Sequence, residues 1–63
     1  MKVPVIELTK DNIPEKQVIA IGYQNECLVG YIHETEGGDF ECEDDSQLLE
    51  DVTHFIEIPK VNQ

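Results

Sequence analysis

Residues 17–43, QVIAIGYQNECLVGYIHETEGGDFECE, confine this chain more tightly than any other feature. Three runs rich in Val, Ile, Tyr and Phe are separated by two short turn-forming pairs. Such residues fit the pleated, half-buried surface of a strand, and Gly, Asn and Asp interrupt it. QVIAIGY (17–23) and ECLVGYIHET (26–35) therefore read as strands joined by Gln24-Asn25. DFECE (39–43) reads as a third strand, folded back through Gly37-Gly38, where adjacent glycines readily adopt positive φ. With two-residue loops at both places, Ile21 lies opposite Leu28, Val18 opposite Tyr31 and Cys27 opposite Gly22. In the second hairpin Cys42 lies opposite His33, Phe40 opposite Thr35 and Glu41 opposite Glu34.

Side chains alternate with period two along a strand. This register gives Val18, Ala20, Cys27, Val29, Tyr31, Phe40 and Cys42 one face, and Ile19, Ile21, Leu28 and Ile32 the other. Both faces are partly apolar, so the second needs a cover: the first strand, a short helix at SQLLED (46–51) capped by Asp45 or Ser46, or a second copy of the chain. VPVIEL (3–8) reads as a first strand, with Pro4 confining it to an edge or a strand start. TKDNIPEK (9–16) is a polar connection punctuated by Asn12 and Pro14, and THFIEI (53–58) is a last strand closed by Pro59. The expected fold is mainly β, with a small α+β variant allowed: one domain over residues 1–63, an antiparallel sheet of four or five strands and at most one short helix.

A chain of 63 residues buries only about 60% of the surface its unfolded form exposes, so stability is thin unless something staples it. Cys27 and Cys42 are too few for a disulfide framework and form no C-x-x-C pair, which points to a reducing compartment. The segment MKVPVIELTKDNIPEK has no apolar run long enough for a signal peptide or a membrane span, so a cytoplasmic location is expected. Net charge is −10, from fourteen acidic residues against four lysines and no arginine. Direct nucleic-acid binding needs Lys and Arg to neutralise phosphates, and anionic membranes make the same demand, so both are excluded as partners. Basic proteins and cations remain.

Four stretches carry a family resemblance: Ile6 to Ile13-Pro14, Val18-Ile19-Ala20, Gly30-Tyr31-Ile32, and Thr53-His54-Phe55-Ile56-Glu57-Ile58-Pro59. They resemble the W-I-x-x-x-x-x-L-P, V-L-V, G-Y-Y and T-H-W-x-x-L-P segments of the small phage- and prophage-associated domain-of-unknown-function family 551. Ile6 and Phe55 stand where that family carries tryptophan, keeping apolar character without the indole N–H. The resemblance implies a bacterial or phage cytoplasmic origin, a compact and mostly antiparallel β domain, and no known enzymatic activity. It supplies no catalytic residues.

The chemistry the residues could support is narrow. A thiol nucleophile requires a neighbouring base, and the expected Cys42–His33 pair is the one candidate, with nothing nearby to form an oxyanion hole. Cys27, His33 and Cys42 on one face, with His54, would supply zinc-type ligands without the close-spaced pairs of a zinc knuckle. The simpler roles are a sheet-surface histidine at 33 and a hydrogen-bonded structural one at 54. In EGGDFECEDDSQLLED (36–51), Asp39, Glu41, Glu43, Asp45, Gln47 and Glu50 match the ligand spacing of a calcium loop. Asp44 then stands where that loop requires glycine, and strand alternation keeps the ligands from converging.

The remaining reading is an interaction surface at Asp39, Glu41, Glu43, Asp44 and Asp45, with carboxylates on alternate residues roughly 6.6 Å apart. Such a row either solvates an exposed strand and discourages edge pairing or is recognised by something basic. The expectation is a non-catalytic phage- or prophage-type accessory domain without cofactor, acting on a protein partner, with a homodimer through the second sheet face as one form of that contact. An acidic nucleic-acid mimic that inhibits a basic DNA- or RNA-binding protein is the first alternative. A small domain stabilised by zinc or calcium is the second.

Overall fold

A computed structural model describes residues 4–59. Within them lie β1 (Ile6–Glu7), β2 (Val18–Gly22), β3 (Cys27–Glu34), β4 (Phe40–Glu43), β5 (Leu48–Leu49) and β6 (Val52–Glu57). They form one antiparallel sheet in the order β1-β6-β2-β3-β4-β5. The mainly β expectation holds, with six strands in place of four or five. The described residues contain no helix, and so none long and apolar enough to cross a membrane.

Both central hairpins carry one more loop residue than expected. After β2, the Asn25 N–H donates to the Gly22 carbonyl at 2.9 Å and the Gly22 N–H to the Glu26 carbonyl at 2.8 Å, with Asn25 at φ 65°. After β3, the Gly38 N–H donates to the Thr35 carbonyl at 3.0 Å and the Thr35 N–H to the Asp39 carbonyl at 2.7 Å, with Gly38 at φ 89°. Each loop is a turn closed by a left-handed residue, a form whose bulge matches the twist of the flanking strands.

The extra residue moves every cross-strand partner by one. Ile21 faces Cys27 instead of Leu28, Val18 faces Gly30 instead of Tyr31, and Cys27 faces Ile21 instead of Gly22. Cys42 faces Ile32 instead of His33, Phe40 faces Glu34 instead of Thr35, and Glu41 faces His33 instead of Glu34. A one-residue slip exchanges the faces of the paired strands. Leu28 and Ile32 therefore join Val18, Ala20, Phe40 and Cys42 on the inner face. Cys27, Val29 and Tyr31 move to the outer face with Ile19 and Ile21.

The short helix expected at SQLLED is instead a hairpin ending in β5. Asp44 accepts the Ser46 and Gln47 N–H groups on Oδ1 at 2.8 and 2.6 Å, and its own N–H donates to the Gln47 carbonyl at 3.1 Å. The carboxylate thus folds a tight turn in place of a helix capped by Asp45 or Ser46. Leu49 then lands opposite Cys42, and the alternation sends Leu48 outward opposite Glu43.

The core consists of Leu8, Val18, Ala20, Ile32, Cys42, Val52 and Phe55, with Ile6, Ile13, Leu28, Phe40 and Leu49 packed against it. It is enclosed because the sheet curls: β4 approaches β6 although β2 and β3 separate them in the sheet. Gly30 permits the bend, since a Cβ there would lie 2.3 Å from the Glu43 carbonyl oxygen and 3.1 Å from Cys42 Sγ. At that point β3 passes from pairing with β2 to pairing with β4. A bulge in β6 is the second device. Gly22 faces Val52 and Ile21 faces His54, so the unmatched Thr53 lets Val52 and Phe55 both point inward.

β1 lies at the sheet edge beyond β6, which suits the preceding Pro4. Val3, the start of the expected first strand, lies outside the described residues. In the 9–16 connection Asn12 accepts the Thr9 N–H on Oδ1 at 2.7 Å and donates from Nδ2 to the Glu7 carbonyl at 2.8 Å. That turn lays Ile13 on the core. The connection therefore serves the inner face, and no described segment covers the outer one.

Candidate functional site

The outer face is built by the register just described. Val29 lies opposite Ile19 and Ile19 opposite Ile56, giving three β-branched side chains in one row across β3, β2 and β6. The next row runs from Leu48 through Glu43 to Tyr31 across β5, β4 and β3. Tyr31 is 54% exposed, Leu48 53% and Val29 44%. The rows meet at Val29 and Tyr31, successive outward residues of β3, giving an apolar band that Glu43 interrupts. Glu43 sits within the band and Glu41 at its margin.

Two of the five acidic candidates, Glu41 and Glu43, share this face with His33. His33 Nε2 lies 3.2 Å from Glu41 Oε1, and Nδ1 lies 3.6 Å from Glu43 Oε1. The histidine links the pair of carboxylates and does not meet the expected thiol. Asp44 and Asp45 continue past the end of β4 and, with Tyr31, Val29, Glu43 and Gln17, line a shallow depression of about 700 Å³. Asp44 has a structural task as well, since its carboxylate holds the turn. Asp39 is set apart from the other four. It borders a different groove, with Glu7 and Asp51.

The cysteines are free thiols on opposite faces, Cys27 exposed and Cys42 buried. Burial pushes the Cys42 thiol pKa up, and the nearby Asp44 and Glu43 carboxylates add to the rise. Its Sγ lies 3.6 Å from the Leu28 carbonyl oxygen. With its expected base across the sheet, Cys42 is a protonated packing residue. The same separation breaks the Cys27, His33 and Cys42 constellation. Among the described residues no three His, Cys, Asp or Glu side chains are arranged to hold a metal ion. His54 Nδ1 lies 2.8 Å from Thr53 Oγ1, which is 3.4 Å from the Ile21 carbonyl oxygen, so this histidine belongs to the bulge.

Tyr31, Val29 and Leu48 are the outer-face residues that sequence reasoning does not place in the candidate surface. Two-residue loops turn Tyr31 and Val29 inward, and the expected helix absorbs Leu48. No family model, curated protein or solved structure matches the chain.

Proposed function

We propose that this chain is a non-catalytic binding domain that docks a basic protein partner on its outer sheet face. The observation that carries the reading is the exposed Tyr31–Val29 band beside Glu41, Glu43, Asp44 and Asp45. Contiguous apolar surface rimmed by polar groups is characteristic of protein contact sites, and tyrosine provides a large contact area with few rotatable bonds. A net charge of −10 favours a partner with the opposite sign. The apolar centre favours a protein contact over nucleic-acid mimicry, because a phosphate mimic would present carboxylates throughout. The phage or prophage setting rests on the family resemblance alone, whose most distinctive segment is Thr53-His54-Phe55-Ile56-Glu57-Ile58-Pro59. A reducing cytoplasm is the compartment in which two free thiols persist.

The test compares three baits in a bacterial lysate: the native chain, Tyr31→Ser, and the pair Glu41→Gln with Glu43→Gln. A protein retained by the native chain is expected to be lost from both variants, and from the native chain as salt is raised. Tyr31 and both glutamates lie outside the core, so the variants keep the fold. Equal retention by all three baits rejects the outer face as the binding surface.

A further inference from the structure

The strand pairing leaves a gap on the opposite side of β4 from β3. β5 pairs only with Cys42 and Glu43, so the first half of β4 has no neighbour on that side. Along an antiparallel strand the backbone groups of successive residues point to opposite edges. The Asp39 carbonyl accepts from Thr35 of the neighbouring strand, so the N–H and C=O of Phe40 point away from β3, and no described backbone group pairs with them. Phe40 itself lines an open groove of about 560 Å³ that it shares with Glu7 and Leu8 and with Val52 and Thr53 of β6.

The floor of that groove is apolar, formed by Leu8 and Val52, both buried, and by Phe40. Its rim is acidic, with Glu7, Asp39 and Asp51 contributed by three separate segments of the chain. Among the described residues none of the three carboxylates has an ion-pair partner. Tyr23, 64% exposed, stands at the same rim. An aromatic face near carboxylates favours a cation, through the ring quadrupole and through Coulomb attraction.

We propose that this groove binds an extended peptide segment bearing a lysine or arginine side chain. The peptide backbone pairs with the free N–H and C=O of Phe40, as strands add to open sheet edges elsewhere. An apolar side chain meets Leu8 and Val52, and the cation lies among Tyr23, Asp39 and Asp51. The site is separate from the outer face and stands or falls independently of it. Charge complementarity selects the occupant, since a second copy of this chain would bring ten further net negative charges to an acidic rim.

The experiment follows backbone amide shifts of the full chain on titration with capped Val-Arg-Val peptide, and with the same peptide carrying neutral citrulline in place of arginine. With the arginine peptide, the amides of Gly38, Phe40 and Val52 are expected to move while those of Val29 and Tyr31 stay fixed. Asp39→Asn with Asp51→Asn is expected to weaken binding by about 1.5- to fivefold per carboxylate, the range of exposed ion pairs. Asn tolerates the left-handed φ of 57° at position 51, so that variant keeps its fold. Glu41→Gln with Glu43→Gln is expected to leave this binding unchanged even where it abolishes capture on the outer face. Absence of shifts around Phe40, equal affinity for the citrulline peptide, or full affinity in the Asp39/Asp51 double variant would each overturn the proposal.

Discussion

Cys42 shows how one side chain's role depends on which face it occupies. Opposite His33 it would be a thiol beside a base. Opposite Ile32 it is a fully buried packing residue whose neighbouring carboxylates, together with its burial, oppose ionisation. Because its pKa is raised in the folded state, the thiol's contribution to stability is complete below the ordinary thiol pKa of about 8.5, and is lost as pH rises through the raised native value. The slope of that loss is at most about 1.4 kcal/mol per pH unit. Urea unfolding between neutral and strongly alkaline pH is therefore expected to show a steeper stability loss in the native chain than in Cys42→Ala. The variant starts lower by about 1 kcal/mol from lost packing. Identical pH slopes would mean that Cys42 reaches water in the folded state. At neutral pH, alkylation in the native fold is expected at exposed Cys27 and not at Cys42.

At the level of strands and turns, the glycines after β3 divide their work unequally. Gly38 has φ 89°, and nothing lies within 4 Å of the point a Cβ would occupy, so only backbone strain opposes a side chain there. Gly37 lacks positive φ, and a Cβ would come no closer than 3.7 Å to Asp39 Oδ2. Gly38→Ala is expected to cost about 1–2 kcal/mol, and Gly37→Ala to be neutral or to stabilise by up to about 1 kcal/mol through a less flexible unfolded chain. Urea midpoints at constant slope would measure both, and equal effects would rule out the three-residue loop. These turns mark the limit of what the sequence reveals. The strands around Val18, Cys27 and Phe40 are legible from β-branched periodicity, and the outward direction of Glu41 and Glu43 from alternation within β4. Loop length is not legible, because Gln24-Asn25 and Gly37-Gly38 each satisfy a two-residue turn as well as the end of a three-residue one. One residue of slip then moves Tyr31, Val29 and Cys27 across the sheet. β5 is hidden for a different reason: Leu48 and Leu49 in a two-residue strand carry no periodicity, and Asp45 and Ser46, beside the Asp44 carboxylate that turns the chain, read equally well as helix caps. The Phe40 groove is beyond reach, since Glu7, Asp39 and Asp51 meet only through the curl of the sheet.

For the whole molecule, a charge of −10 on 63 residues acts on folding and on binding with opposite dependence on salt. Folding gathers Glu41, Glu43, Asp44 and Asp45 at one end of β4, and Glu7, Asp39 and Asp51 around one groove, with Lys10–Glu34 at 3.9 Å the one lysine ion pair among the described residues. Concentrating like charges opposes the compact state, and salt relieves the repulsion once the screening length falls to about 10 Å at 0.1 M. The melting temperature is therefore expected to rise between about 0.01 and 0.2 M NaCl. Each kcal/mol of relieved repulsion corresponds to about 4–8 °C in a domain of this size. Binding of a basic partner should weaken over the same range, because screening removes attraction there. Self-association through the Ile19, Val29 and Ile56 row obeys the folding sign, since two like-charged copies must approach. Light scattering is expected to show a monomer at low salt, with any dimer growing in as salt is raised. A melting temperature that stays flat or falls with salt would show the carboxylates to be compensated within the chain, and would remove the electrostatic basis for a basic partner at either site.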